Sequence, residues 1–150
     1  SLSPKGTGFI SANQPDTTGV NGSCRGTNAV DLQIKRSVNS QIASGNFSFI
    51  GAGTYNTVNG SNSAIIGGSS NKAMGALSGI VGGRCNNIGA LAGYSAIICG
   101  SSNAISAGNY SLVGGRKALC NYSGCFVWND SNGAGVAPSS NNQFIINKNV

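Results

Sequence analysis

Large apolar residues come along this chain in adjacent pairs held at one phase: Ile65-Ile66, Ile80-Val81, Ile97-Ile98 and Leu112-Val113. Glycine and serine frame each pair. Four segments superpose: Gly45-Asn-Phe-Ser-Phe-Ile-Gly-Ala-Gly53, Gly60-Ser-Asn-Ser-Ala-Ile-Ile-Gly-Gly68, Gly75-Ala-Leu-Ser-Gly-Ile-Val-Gly-Gly83 and Gly108-Asn-Tyr-Ser-Leu-Val-Gly-Gly115. A fifth, Gly93-Tyr-Ser-Ala-Ile-Ile-Cys-Gly100, fits with Cys99 in place of a glycine. The closing glycines step by 15, 15, 17 and 15 residues, and Asn56, Asn71, Asn86 and Asn103 each follow one by three. Helix-pair, leucine-rich and propeller repeats are longer, about 20 to 50 residues. A 15-residue unit fits one coil of a parallel β-solenoid: two short strands joined by tight turns. The Ile/Val pairs form one strand, and stretches such as Ala43-Ser44-Gly45 belong to the other. Glycine and asparagine take the turns that need positive φ. About five coils stacked at the strand spacing make a column about 24 Å tall.

Adjacent strand residues point to opposite faces. In every coil one member of the pair therefore fills the narrow interior and the other faces outward. Repetition aligns Ile50, Ile65, Ile66, Ile80, Val81, Ile97, Ile98, Leu112 and Val113 into a core and a continuous apolar stripe. Such a stripe marks an interface. Closed cyclic assemblies dominate among homo-oligomers, and three columns around an axis bury one stripe from each chain. A homotrimer is expected; periodicity alone also admits a dimer.

Composition sharpens this picture. Gly, Asn and Ser number 24, 20 and 22 of 150 residues, while Leu, Ile, Val and Phe together make 22%. Glycine costs about 1 kcal/mol at each helix-interior position, so a helical protein is excluded. Disorder is excluded by the phase of the pairs. The chain has no His and no Glu, and no acid lies between Asp31 and Asp130. Solenoid glycosidases need paired carboxylates in a groove, so a non-enzymatic chain without cofactor or metal is expected. A polysaccharide-degrading β-helix is the alternative from another class.

The net charge is +6, with nine basic residues and no Lys/Arg run longer than two. That supply is thin for nucleic acid, and no apolar run is long enough for a membrane helix. Neither nucleic-acid binding nor membrane insertion is expected. Arg84 and Arg116 each follow the closing glycine of their coil, two coils and about 10 Å apart. With Lys72 and Lys117 they are candidates for gripping a sulfated or uronic-acid glycan; the competing reading is a solvated corner. Tyr94, Tyr110 and Tyr122 are candidates for stacking on sugars, with packing an equal alternative. Arg25 and Asp31 read as an ion pair or turn cap that fixes the collar, with a catalytic carboxylate as the minor alternative. Six Asn-x-Ser sequons are little more than composition supplies. The five cysteines read chiefly as small buried hydrophobes, with a Cys120–Cys125 bridge as a minor alternative.

Residues 1–40 and 119–150 leave the repeat, and 41–118 carry it. Gly6-Thr-Gly-Phe-Ile-Ser-Ala, the turn at Pro15-Asp16 and a second strand through Ile34 suggest a strand–loop–strand collar. Bulky Phe126, Trp128 and Phe144 suggest the cap that a solenoid end requires.

Gly6-Thr-Gly-x-Ile-Ser-Ala, Asp16, Arg25-Gly-x-Asn-Ala-Val-Asp-Leu-Gln33, Gln41-Ile-Ala-Ser-Gly45, Phe126-Val-Trp128 and Asn142-Gln-Phe144 together resemble a module of viral fibre proteins. Such modules occur in bacteriophage tail fibres and in surface proteins of large DNA viruses such as chloroviruses. The repeats alone are similar to head domains of trimeric bacterial autotransporter adhesins, which are left-handed parallel β-rolls. The resemblance implies an all-β, left-handed, trimeric β-roll on a virion surface that contributes to host-surface glycan attachment. A bacterial adhesin head on the cell surface is the alternative. Many such fibres carry a self-cleaving C-terminal chaperone. The resemblance suggests a released piece of a larger precursor, given that these 150 residues lack both that domain and an initial Met.

Overall fold

A computed structural model of the chain describes residues 8, 10–12, 24–130 and 135–147. The turn expected at Pro15-Asp16 and three residues of the first collar strand (Gly6, Thr7 and Phe9) lie outside the described residues. Among the described residues fourteen short strands follow in chain order: β1 (Ile10–Ser11), β2 (Val30–Asp31), β3 (Phe49–Ile50), β4 (Thr57–Val58), β5 (Ala64–Ile65), β6 (Lys72–Ala73), β7 (Gly79–Ile80), β8 (Asn87–Leu91), β9 (Ala96–Ser101), β10 (Ala104–Ala107), β11 (Leu112–Arg116), β12 (Leu119–Cys120), β13 (Phe126–Asn129) and β14 (Phe144–Asn147). They form two sheets. A nine-stranded sheet runs β1-β2-β3-β5-β7-β9-β11-β13-β14, and a five-stranded sheet runs β12-β10-β8-β6-β4. Every strand pair in both is parallel.

This is an all-β parallel solenoid of about eight turns, not the five expected. The difference comes from both ends. Val30 and Asp31 pair in register with Phe49 and Ile50, and Phe126 to Asn129 pair with Leu112 to Gly115. Those end segments lack the glycine pair, yet their backbones continue the same ladder.

One buried residue per coil builds the core along the larger sheet. Ile50, Ile65, Ile80, Ile97, Val113 and Val127 stand in register and are shielded from solvent. Ala43, Val58, Ala73, Ile88, Ile105 and Cys120 face them from the smaller sheet. The second strand of each central coil therefore starts just after the asparagine; β4 and β6 end at the alanine-type position, while β8 and β10 run on to Leu91 and Ala107. Ser44 and Gly45 already belong to the turn that follows.

The interior is too narrow for apolar side chains at its corners, and hydrogen-bonded ladders fill them. Asn56, Asn71, Asn86 and Asn103 are buried. Each accepts with Oδ1 from the backbone N–H one coil further on, at Asn71 (3.0 Å), Asn86 (3.0 Å), Asn103 (3.1 Å) and Ala118 (2.9 Å). Each donates with Nδ2 to two carbonyls; for Asn71 these are Gly67 and Gly83. Gln33 starts the ladder by accepting from the Asn56 N–H at 2.8 Å. At another corner, buried Ser63 Oγ accepts from Ser78 N, Ser95 Oγ from Ser111 N, and Ser111 Oγ from Cys125 N. The buried asparagines and serines of these ladders are thus satisfied rather than excluded from so thin a body.

The glycine column explains the closing repeat residue. Gly53, Gly68, Gly83, Gly100 and Gly115 have φ between 87° and 110°. A Cβ on Gly68 would also collide with the carbonyl oxygen of Gly83 in the next coil.

Candidate functional surfaces

The outer face of the nine-stranded sheet carries two columns of side chains. The first is Val30, Phe49, Ala64, Gly79, Ala96, Leu112, Phe126 and Phe144, aligned by strand register. The second begins Leu32, Gly51, Ile66, Val81 and Ile98, aligned by backbone hydrogen bonds, and continues as Gly114, Trp128 and Ile146. None of these sixteen positions is polar. Ile66, Val81 and Ile98 are 56%, 50% and 40% exposed, beside fully buried Ile65, Ile80 and Ile97. The gap at Gly51 is covered by the Phe49 ring, and that at Gly114 by the Trp128 ring. The outer positions of the smaller sheet are mixed instead: Thr57, Lys72, Asn87, Ala104 and Leu119. Only one side of the column is uniformly apolar.

Leu112-Val113 does not share the phase of the other pairs. Val113 is the buried member, opposite Ile97, while Leu112 lies opposite Ala96 in the outer column. A bulge between Val113 and Gly115 absorbs the offset, because β9 spends two residues where β11 spends one. Phe126 and Phe144 stack at 4.6 Å between centroids on this outer face. With Trp128 they lie on the side of the last strands rather than across the end.

A corner column places the cations. Lys35, Thr54, Ser69, Arg84 and Ser101 bridge one another in order, and Ser101 pairs with Arg116. Arg84 and Arg116 are two coils apart in one line, with a serine between. Lys35, not singled out from sequence, begins that line three coils below Arg84. Its signal was obscured because the first coil lacks a closing glycine. Lys35 Nζ also stands 5.7 Å from the centre of the Tyr55 ring. Lys117 follows Arg116 in the left-handed region, φ 56°. Lys72 is separate, on the outer side of β6 beside Ser70, Cys85 and Asn87.

Another corner holds non-glycine residues in the same left-handed region: Asn28, Phe47, Asn62, Leu77, Tyr94, Tyr110 and Asn142, with φ from 54° to 59°. Asparagine tolerates this conformation, whereas bulky residues adopt it at a cost. Tyr94 and Tyr110 stack at 5.1 Å. Phe47, Leu77, Tyr94 and Tyr110 are all about half exposed or more and border the apolar face.

Asp31 occupies the core position held by isoleucine in the next coil. Its Oδ2 accepts from Arg25 Nε at 3.0 Å and pairs with Arg36 Nη2 at 2.9 Å, all three side chains being buried. Burial pushes the Arg25 guanidinium below its ordinary pKa, against the opposing pull of Asp31. A carboxylate so enclosed is a structural plug for the first turns. Cys120 and Cys125 are buried free thiols, and burial pushes the Cys120 pKa up. Cys24, Cys85 and Cys99 are exposed, unlike the buried placement expected from sequence.

Among the described residues, no three His, Cys, Asp or Glu side chains stand together as a metal site. No described helix is long and apolar enough to cross a membrane. Fold and surface define the class: a parallel β-solenoid with one apolar flank. In comparisons with known proteins, no family model, curated protein or solved structure matched the chain.

Proposed function

We propose that the chain is a non-enzymatic structural domain of a trimeric, left-handed β-roll fibre on a virion surface, contributing to attachment to host glycans. The observation that carries the self-association is the outer face of the nine-stranded sheet. Sixteen consecutive outward positions without a polar side chain far exceed the scattered apolar residues of an ordinary surface. Three such faces turned toward a common axis remove them from water. The half-exposed Ile66, Val81 and Ile98 would form the centre of each contact, below the bulge that ends the flat stripe. The assignment to a virion fibre rests on the sequence resemblance.

In this arrangement the cation corner and the mixed smaller sheet face outward. Arg84, Arg116 and Lys117, extended by Lys35, would then meet an anionic polysaccharide, with Lys72 contributing from the next face. The assembled chain is expected to be retained on sulfated or uronic-acid glycans in an array, less so as salt rises, and to leave those glycans intact. Shortened glycan products would overturn the non-enzymatic reading. Absence of retention on every glycan would overturn attachment.

A further inference from the structure

The turn that leads out of the smaller sheet after β12 keeps the geometry of the repeat but changes its chemistry. In central coils a five-residue step runs from a core residue to a corner serine, as from Val58 to Ser63 and from Ala73 to Ser78. Cys120 stands opposite Ile105 in the core line. The Cys125 N–H donates to Ser111 Oγ at 3.2 Å, just as the Ser111 N–H donates to Ser95 Oγ. The same step thus runs from Cys120 to Cys125, with a thiol at each end. Both thiols are free and buried.

The two sulfurs converge on the inner side of one turn. Cys120 Sγ donates to the Tyr122 carbonyl at 3.0 Å, and Cys125 Sγ donates to the next carbonyl, that of Ser123, at 3.6 Å. Ser111 Oγ ties the two halves together, donating to Tyr122 O at 3.1 Å while it accepts from Cys125 N. Burial is the main cause that pushes the Cys120 pKa up, and the Cys125 thiol adds to the rise by charge and by hydrogen bonding. Loss of both thiol protons leaves neither turn carbonyl bare. Tyr122 O keeps Ser111 Oγ, and Ser123 O keeps the Asn142 N–H at 2.9 Å. Asn121 and Tyr122 are exposed, so opening of this single turn uncovers the pair.

We propose that Cys120 and Cys125 form a disulfide on oxidation, a covalent lock on the turn between β12 and β13. The lock acts within one chain, whether or not chains assemble. With oxidised glutathione as the oxidant, one protein thiolate attacks a glutathione sulfur and releases a glutathione thiolate. The second protein thiolate attacks the protein sulfur of that mixed disulfide and releases the other. Two electrons pass to the glutathione disulfide, and the two thiol protons end on the released glutathiones. The bridge closes a loop of six residues between strands already stacked on β10 and β11. It therefore restricts the unfolded chain more than the folded one.

The test uses the full chain carrying Cys24→Ser, Cys85→Ser and Cys99→Ser, which removes the exposed thiols and keeps the pair. In glutathione redox buffers this chain is expected to lose the mass of two hydrogens. Chymotryptic cleavage after Tyr122 should leave fragments joined until they are reduced. The equilibrium constant of the bridge against glutathione should be at least about tenfold larger in the folded chain than in urea. Amide exchange at Gly124 and Cys125 should slow by a similar factor in the oxidised form. Cys120→Val and Cys125→Ser place at these positions the residues that other coils use there, and each should fold without the mass loss or the slowing. The proposal is overturned if both thiols of the folded chain can still be alkylated, after quenching and unfolding, from excess oxidised glutathione. A constant no larger in the folded chain than in urea would also overturn it, because the fold would then contribute nothing to the pairing. So would a stable glutathione adduct on either sulfur in place of the bridge.

Discussion

The corner asparagines combine the demands on a narrow solenoid in one residue. Asn71 donates to two carbonyls and accepts from the N–H of Asn86. Asn71→Ala leaves the buried Asn86 N–H without its acceptor and removes a donor from the Gly67 and Gly83 carbonyls, the latter keeping the Ser69 N–H. Since an orphaned buried polar group costs about 1–3 kcal/mol, a loss of about 3 kcal/mol is expected in urea unfolding. A loss below about 0.5 kcal/mol, the level of an ordinary surface change, would contradict the ladder. Leu77 makes the opposite case. Held at φ 54° and 48% exposed, it opposes the local conformation, whereas Asn62 occupies the same corner one coil below at φ 55°. Leu77→Asn is expected to stabilise the isolated chain by about 0.5–1 kcal/mol while weakening self-association. Stabilisation of both would show that the corner residue takes no part in assembly. Sequence spacing exposed the asparagines because they stand three residues after a glycine. It could not assign Leu77 or Tyr110 to strained backbone, since no local motif distinguishes an exposed aromatic at a corner from one in a strand.

At the scale of strands, the repeat was legible where glycine closed the coil and illegible where it did not. The central coils share an Ile-x-x-Gly spacing, as in Ile80 and Gly83. The last ones instead read Phe126-Val-Trp-Asn129 and Phe144-Ile-Ile-Asn147, the same four-residue pattern repeated at an 18-residue step. That match signals a further stacked strand, and the Gln143-Phe-Ile-Ile stretch reads from sequence as a final short strand beside the bulky residues expected to form a cap. The first turn was hidden for another reason. Asp31 stands where the core expects isoleucine, and only burial with Arg25 and Arg36 makes this tolerable. Removing one partner of a buried charge cluster costs about 3–5 kcal/mol. Asp31→Ala is therefore expected to unfold the first turns before the rest, seen as early loss of amide protection around residues 25–36 in hydrogen exchange. Uniform protection in that variant would mean that the cluster plays no part in holding the N-terminal coil.

Across the whole molecule, function depends on the contrast between its sides. The alternation of Ile65 with Ile66 and Ile80 with Val81 made the stripe readable, but the column beside it, which begins at Val30, was not readable. Phe49, Leu112 and Phe126 join that column only through cross-strand register, which residue spacing alone does not fix at the 17-residue coil. The two columns together make an apolar flank about 34 Å tall, taking seven intervals at the strand spacing. A flank of this kind is the ground for proposing assembly, and the polar corner acquires its role as an outward surface only if that flank is covered. The most direct test is the mass in solution at micromolar concentration by multi-angle light scattering, for the parent chain and for Ile66→Lys with Val81→Lys. The parent is expected at three times its 14.9 kDa chain mass, and the double variant as smaller particles. A parent that remains a stable, folded particle of one chain mass would contradict the account.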